Sequence, residues 1–158
     1  MAFKGLSLTQ VFSITLVIAA ILTVVSYFRY HETIKYQESK LTTWEKIKLY
    51  LIRFLHYSAF WLMWSYPLTA KIVFLNDFIV VLLIIIGVLY RIYYNECSLS
   101  TIEKQILNNT YVASSNPKYE PHWYLIDFPS HIIQNIENKL LFIPISVLLF
   151  RVFYSYNK

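Results

Sequence analysis

Apolar positions fall into four long runs, at about residues 8–28, 49–66, 72–94 and 139–156, and most charged residues lie between them. Each run approaches the ~20 residues that an α-helix needs to cross a bilayer core. The third is the densest: in VFLNDFIVVLLIIIGVLY no side chain from Phe78 to Leu89 is polar. The pattern predicts an all-α polytopic membrane protein, a single domain over residues 1–158 with about four transmembrane helices.

The connections differ in kind. PLTAK, residues 67–71, is short enough to predict a tight central helical hairpin between the second and third runs. Residues 29–48 read as a charged connector, and Thr42 with Glu45 matches a capping box opening the second helix. The longest connection covers 95–138. Within it Ser100 and Glu103 match a second capping box, while Leu99, Ile102 and Ile106 recur at helical spacing. A short amphipathic helix over 99–109 is expected there, lying on the membrane surface or on the protein. Farther on, three prolines break any period, and Tyr119, Trp123, Tyr124 and Phe128 argue against free disorder. Ser130 is the expected N-cap of a helix leading into the fourth run, and Pro144 is expected to bend that helix or end its first section.

Composition sharpens this picture. Apolar residues make up 57% of the chain and charged residues 15%, where a soluble domain carries about a quarter. Aromatic residues cluster at run ends: Tyr27 and Tyr30, Trp61, Trp64 and Tyr66, Tyr90, Tyr93 and Tyr94, Tyr154 and Tyr156. That placement matches an aromatic belt at headgroup level. The first run has only Lys4 before it and no small-residue cleavage site after it, so it reads as a retained helix rather than a signal peptide. Heavy use of Ile, Tyr, Phe, Asn and Lys fits an AT-rich coding genome and makes a mitochondrial inner membrane or a viral membrane the expected location.

The net charge of +5 does not imply nucleic acid, because the basic residues flank the apolar runs. Arg29, Lys35, Lys40, Lys46, Lys48, Arg91, Lys104, Lys118 and Lys139 would lie on one side, and Lys4, Lys71 and Lys158 on the other. The richer set is expected to face the cytoplasm or matrix, with both termini opposite. On that side the NNT motif at Asn108 escapes glycosylation.

Ionisable residues within the runs are the candidate functional set: Asp77 with Asn76 in the third, His56 and Arg53 in the second, Arg151 in the fourth. With Leu68 as the hairpin centre, His56 lies 12 residues before and Asp77 nine after, so their depths differ by about one turn. Arg151 falls at a similar depth. Asp77 therefore has two expected partners, His56 and Arg151. The cluster reads either as a polar lock between helices or as a proton or ion path with Asp77 titrating and His56 relaying.

Other chemistry finds little footing. His31, His56, His122 and His131 have no metal-ligand spacing, and one cysteine, Cys97, permits no internal disulfide or cysteine cluster. Cys97 reads as a small buried residue. No nucleophile elbow, phosphate loop or zinc-protease motif occurs, and a surface triad of His122, Asp127 and a serine such as Ser130 is not expected. Cys97, Leu99 and Glu103 resemble the Cys-x-Leu-Thr-x-x-Glu ending of a family of small membrane proteins without established activity. The resemblance covers about a dozen residues, has Ser100 in place of Thr, and implies neither a fold nor a function. The expected function is a non-catalytic integral membrane subunit that contacts lipid and packs against other membrane proteins or copies of itself, without cofactor or metal. The alternative is a small ion or proton channel or transporter using Asp77 and His56.

Overall fold

Six helices account for most of the computed structural model, which describes residues 5–29, 32–113, 115 and 142–157. They are α1 (Leu8–Arg29), α2 (Glu32–Ser39), α3 (Thr43–Thr69), α4 (Phe74–Tyr94), α5 (Ser98–Leu107) and α6 (Phe142–Tyr156). Among the described residues no strand forms, and Leu6 and Ala70 make an isolated bridge. Among the described residues two helices are long and apolar enough to cross a membrane, α1 over Leu8–Phe28 and α4.

Helix α1 packs chiefly on α3. Its buried residues Val11, Thr15, Ala19 and Ser26 recur at intervals of four, four and seven, which places them on one helix face. Three of the four are small, so the two backbones approach closely, and Thr15 Oγ1 lies 3.4 Å from Ser65 Oγ. The remaining face of α1 stays apolar and exposed, as at Val17, Ile21 and Val24.

The box expected at the start of α3 is present. Thr42 Oγ1 accepts the Glu45 amide and Glu45 Oε2 accepts the Thr42 amide. The far end differs from expectation. The sequence places Pro67 at the opening of the loop, yet it lies inside α3, which continues to Thr69. A proline in a last turn removes only one intrahelical bond, and the carbonyls left near it find another partner, described below. The link to α4 is thus residues 70–73. Leu6 steadies this link by donating to Thr69 O (2.7 Å) and accepting from the Lys71 amide (2.9 Å). Gly5 permits the approach, since a Cβ there would lie 2.8 Å from Lys71 N.

Helices α3 and α4 run antiparallel but scarcely touch along their length; α6 packs against both at the linked end. The central hairpin is therefore a splayed pair rather than a tight one. Residues 29–48, expected to be only a connector, contain α2. Helix α4 ends at Asn95 in the left-handed conformation (φ 54°), which turns the chain into α5. Helix α5 begins earlier than expected, with Cys97 rather than Ser100 at its N-cap, so the second capping box does not form. Its burial is also reversed: Ser100, Thr101, Glu103 and Lys104 face inward and Ile102 is exposed.

One end of the bundle gathers Leu6, residues 70–73 and the end of α6, where Tyr156 meets Phe74 (6.4 Å between ring centres). Helices α2 and α5 meet at the other end. Expectations for residues 116–141, including Ser130, His122 and Asp127, fall outside the described residues, as do His31 and His131.

Candidate functional site

The interior is unusual in its chemistry. Among the described residues twelve polar or charged side chains are buried, against nine apolar ones. Apart from Thr15 and Ser26 of α1, the polar ones form two groups at opposite ends of α3, with a largely apolar cavity between α3 and α4 that reaches the second group.

At the linked end, Asp77 is wholly buried in the first turn of α4. Arg151 of α6 grips it with both arms of its guanidinium, Nε to Oδ2 at 3.1 Å and Nη2 to Oδ1 at 2.9 Å. Tyr66 of α3 donates its hydroxyl to Oδ1 at 2.8 Å. Arg151 also donates from Nη1 to the carbonyls of Tyr66 (3.2 Å) and Pro67 (2.6 Å), and from Nη2 to that of Lys71 (3.0 Å). Its guanidinium carbon lies 5.3 Å from the Tyr66 ring centre. The electrostatics agree throughout. A carboxylate sits at the positive start of α4 and a cation at the negative end of α3, and the same cation satisfies the Pro67 carbonyl at the helix end and joins the Ala70 amide on that of Tyr66. Asn76, next in sequence to Asp77, is half-buried.

His56 and Arg53 are not part of this group. Because α3 continues through Pro67, the turn centres near residues 71–72 rather than Leu68, and Tyr66 becomes the residue level with Asp77. His56 is ten residues earlier in α3, about 15 Å along the axis. The structure thus brings Asp77 together with Arg151 and separates it from His56.

At the other end Arg53, 1% exposed, pairs with Glu103 of α5 at 2.7 Å and with Glu38 of α2. Tyr50 donates to Glu38 at 3.2 Å. Two carboxylates share one guanidinium here. Burial pushes the Glu103 carboxyl above the usual range; Arg53 and His56 oppose the shift and Glu38 adds to it. A second ion pair lies beside the α4–α5 turn. Glu96 accepts from Lys104 Nζ (2.7 Å), Thr101 Oγ1 (2.6 Å) and the Tyr111 hydroxyl (2.6 Å). Burial acts to raise the Glu96 carboxyl, but these three donors outweigh it and hold it below its ordinary value.

Cys97 was read from the sequence as a small buried residue. It is half-buried and lines the same cavity as His56, at the start of α5 beside the amides of Leu99 and Ser100. Burial alone would raise the thiol, yet His56 and these amides bring it below the usual thiol range. The pair lines one end of a cavity of about 280 Å³ between α3 and α4, whose walls include Phe60, Met63, Ile84 and Val88. Gly87 forms part of the α4 wall, and a Cβ built on it meets nothing within 4 Å. Sequence reasoning missed this pair because Cys97 and His56 lie on different elements, 41 positions apart. Among the described residues no group of three or more His, Cys, Asp or Glu side chains could hold a metal ion.

The chain matches no family model, no curated protein and no solved structure.

Proposed function

We propose that this chain is a non-catalytic integral membrane subunit in which α1, α3, α4 and α6 span the bilayer and present apolar faces to lipid and to neighbouring membrane proteins or further copies of itself. The observation that carries the reading is the inverted distribution of polarity. Helix α4 buries only Asp77 and Val81 and exposes Leu75, Leu82, Leu83, Ile86, Leu89 and Ile92. In water such a surface invites aggregation; in lipid it is the favoured one. The charged groups, costly in an apolar medium, are turned inward and paired. The gathering of Leu6, residues 70–73 and Tyr156 at one end supports an even number of crossings.

Asp77 and Arg151 serve this protein as a fastener between three helices. An ion or proton path through Asp77 and His56 has less support, since about 15 Å of α3 separates their levels and Asp77 has no exposed surface. Purification in mild detergent with crosslinking tests the proposal. Stable partners or a defined oligomer are expected; a lone monomer would overturn the subunit reading, and proton or ion conductance lost in Asp77→Asn would replace it with the channel.

A further inference from the structure

We infer that Cys97 is a site of thioester acylation and that the cavity between α3 and α4 holds the attached long-chain acyl group. The sulfur, the proton acceptor and the room for a chain lie together. His56 of α3 and Cys97 at the start of α5 line the same cavity, and His56 there favours thiolate over thiol. Both residues line the cavity, whose other walls are apolar except for Arg91 and Ser98, and whose volume of about 280 Å³ is close to the lower end of small-ligand sites, about 300 Å³.

Along α4 the lining runs from Val80 to Arg91, about 16 Å of helix, so the space is elongated along the direction that a chain fixed at Cys97 would take. Gly87 keeps this wall open: it is one of two glycines in the protein, and the place of its missing side chain is empty. Juxtamembrane cysteines are common sites of reversible acylation, and Cys97 lies three residues past the end of α4.

The step balances with a long-chain acyl-CoA as co-reactant. His56 takes the proton from Cys97, and the sulfur attacks the acyl carbonyl carbon. The bond from that carbon to the CoA sulfur breaks, and the departing CoA thiolate receives the proton from His56. One thioester replaces another and nothing is oxidised or reduced. A fatty chain held this way fills the splay between α3 and α4 that the helices leave unpacked.

The inference goes beyond the membrane reading and rests on it only in calling Cys97 juxtamembrane, because α3, α4 and the α5 turn define the site. The test uses the full chain in detergent micelles, incubated separately with palmitoyl-CoA and acetyl-CoA and followed by intact-mass spectrometry. The wild type is expected to gain one hydroxylamine-labile palmitoyl group, absent from Cys97→Ser, at least tenfold faster than an acetyl group. His56→Gln is expected to slow both acyl donors at least tenfold, and Gly87→Phe to abolish the preference for palmitoyl. Circular dichroism and size exclusion establish that each variant is folded. Failure of the folded wild type to acylate, equal rates with the two donors, or a palmitoyl preference that survives in folded Gly87→Phe would overturn the proposal.

Discussion

Replacing Asp77 and Arg151, singly and together, measures how far the linked end of the bundle depends on one ion pair. Asp77→Leu removes the acceptor of two guanidinium bonds and one tyrosine hydroxyl but leaves Arg151 on the carbonyls of Tyr66, Pro67 and Lys71. Removing one partner of a buried pair costs about 3–5 kcal/mol, and with three acceptors retained this variant belongs near 3 kcal/mol. Arg151→Leu leaves the Pro67 and Lys71 carbonyls without this donor, Tyr66 O with the Ala70 amide alone, and a buried carboxylate held by Tyr66, which places it near 5 kcal/mol by the same measure. The double variant strands no buried charge. It should therefore cost about 5 kcal/mol or less, against about 8 kcal/mol for the sum of the singles. Equilibrium unfolding in mixed micelles, read by tryptophan fluorescence, gives the three values. Additivity to within about 0.5 kcal/mol, or an Asp77→Leu loss exceeding that of Arg151→Leu, would refute this account.

Thermal unfolding should separate the two glycines. Gly5→Ala drives a Cβ into backbone at 2.8 Å and should destabilise by about 1–3 kcal/mol, while Gly87→Ala meets open space and should stabilise by up to about 1 kcal/mol. The two buried glutamates should give opposite pH slopes. Glu103 binds its proton more tightly folded than unfolded, so its contribution is full below the ordinary carboxylate pKa and falls as pH rises toward its raised value. Glu96, held low, contributes above the ordinary value and loses that contribution as pH falls through its lowered one. Melting temperature against pH should flatten on the higher side in Glu103→Gln and on the acid side in Glu96→Gln. In a Cys97→Ser background, single cysteines at Lys48 and Asn157 should label from opposite faces of the membrane; labelling from the same face would refute the proposed topology.

The helices that stand on bare apolar runs, α1 and α4, were legible in the sequence to within a residue or two. The start of α3 was legible too, because a capping box is a local bond between residues three apart. Its end was not: Pro67 signals a break locally, and the helix continues because Arg151, 84 positions away, takes up the nearby carbonyls. That difference moved the turn by about three residues, enough to place His56 wrongly beside Asp77 and to hide Tyr66. Helix α5 shows the same limit. The spacing of Leu99, Ile102 and Ile106 suggested an apolar inward face, but Glu103 and Lys104 face inward to partners set by the fold, Arg53 and Glu96. Helix α2 has too few apolar positions to announce itself; among its described side chains Ile34 and Glu38 are buried.

The Arg151 contacts also bear on how the protein is made. Synthesis proceeds from the N-terminus, so Asp77 and the α3 carbonyls leave the ribosome 74 or more residues before the guanidinium that joins them. Until then the turn between α3 and α4 carries a carboxylate and open carbonyls without their cation, a state poorly suited to an apolar medium. The joint between these neighbouring helices is completed last, when α6 arrives. A chain interrupted ahead of Arg151 keeps that polar turn open, a chemical mark by which a cell's quality-control machinery can tell an unfinished copy from a finished one.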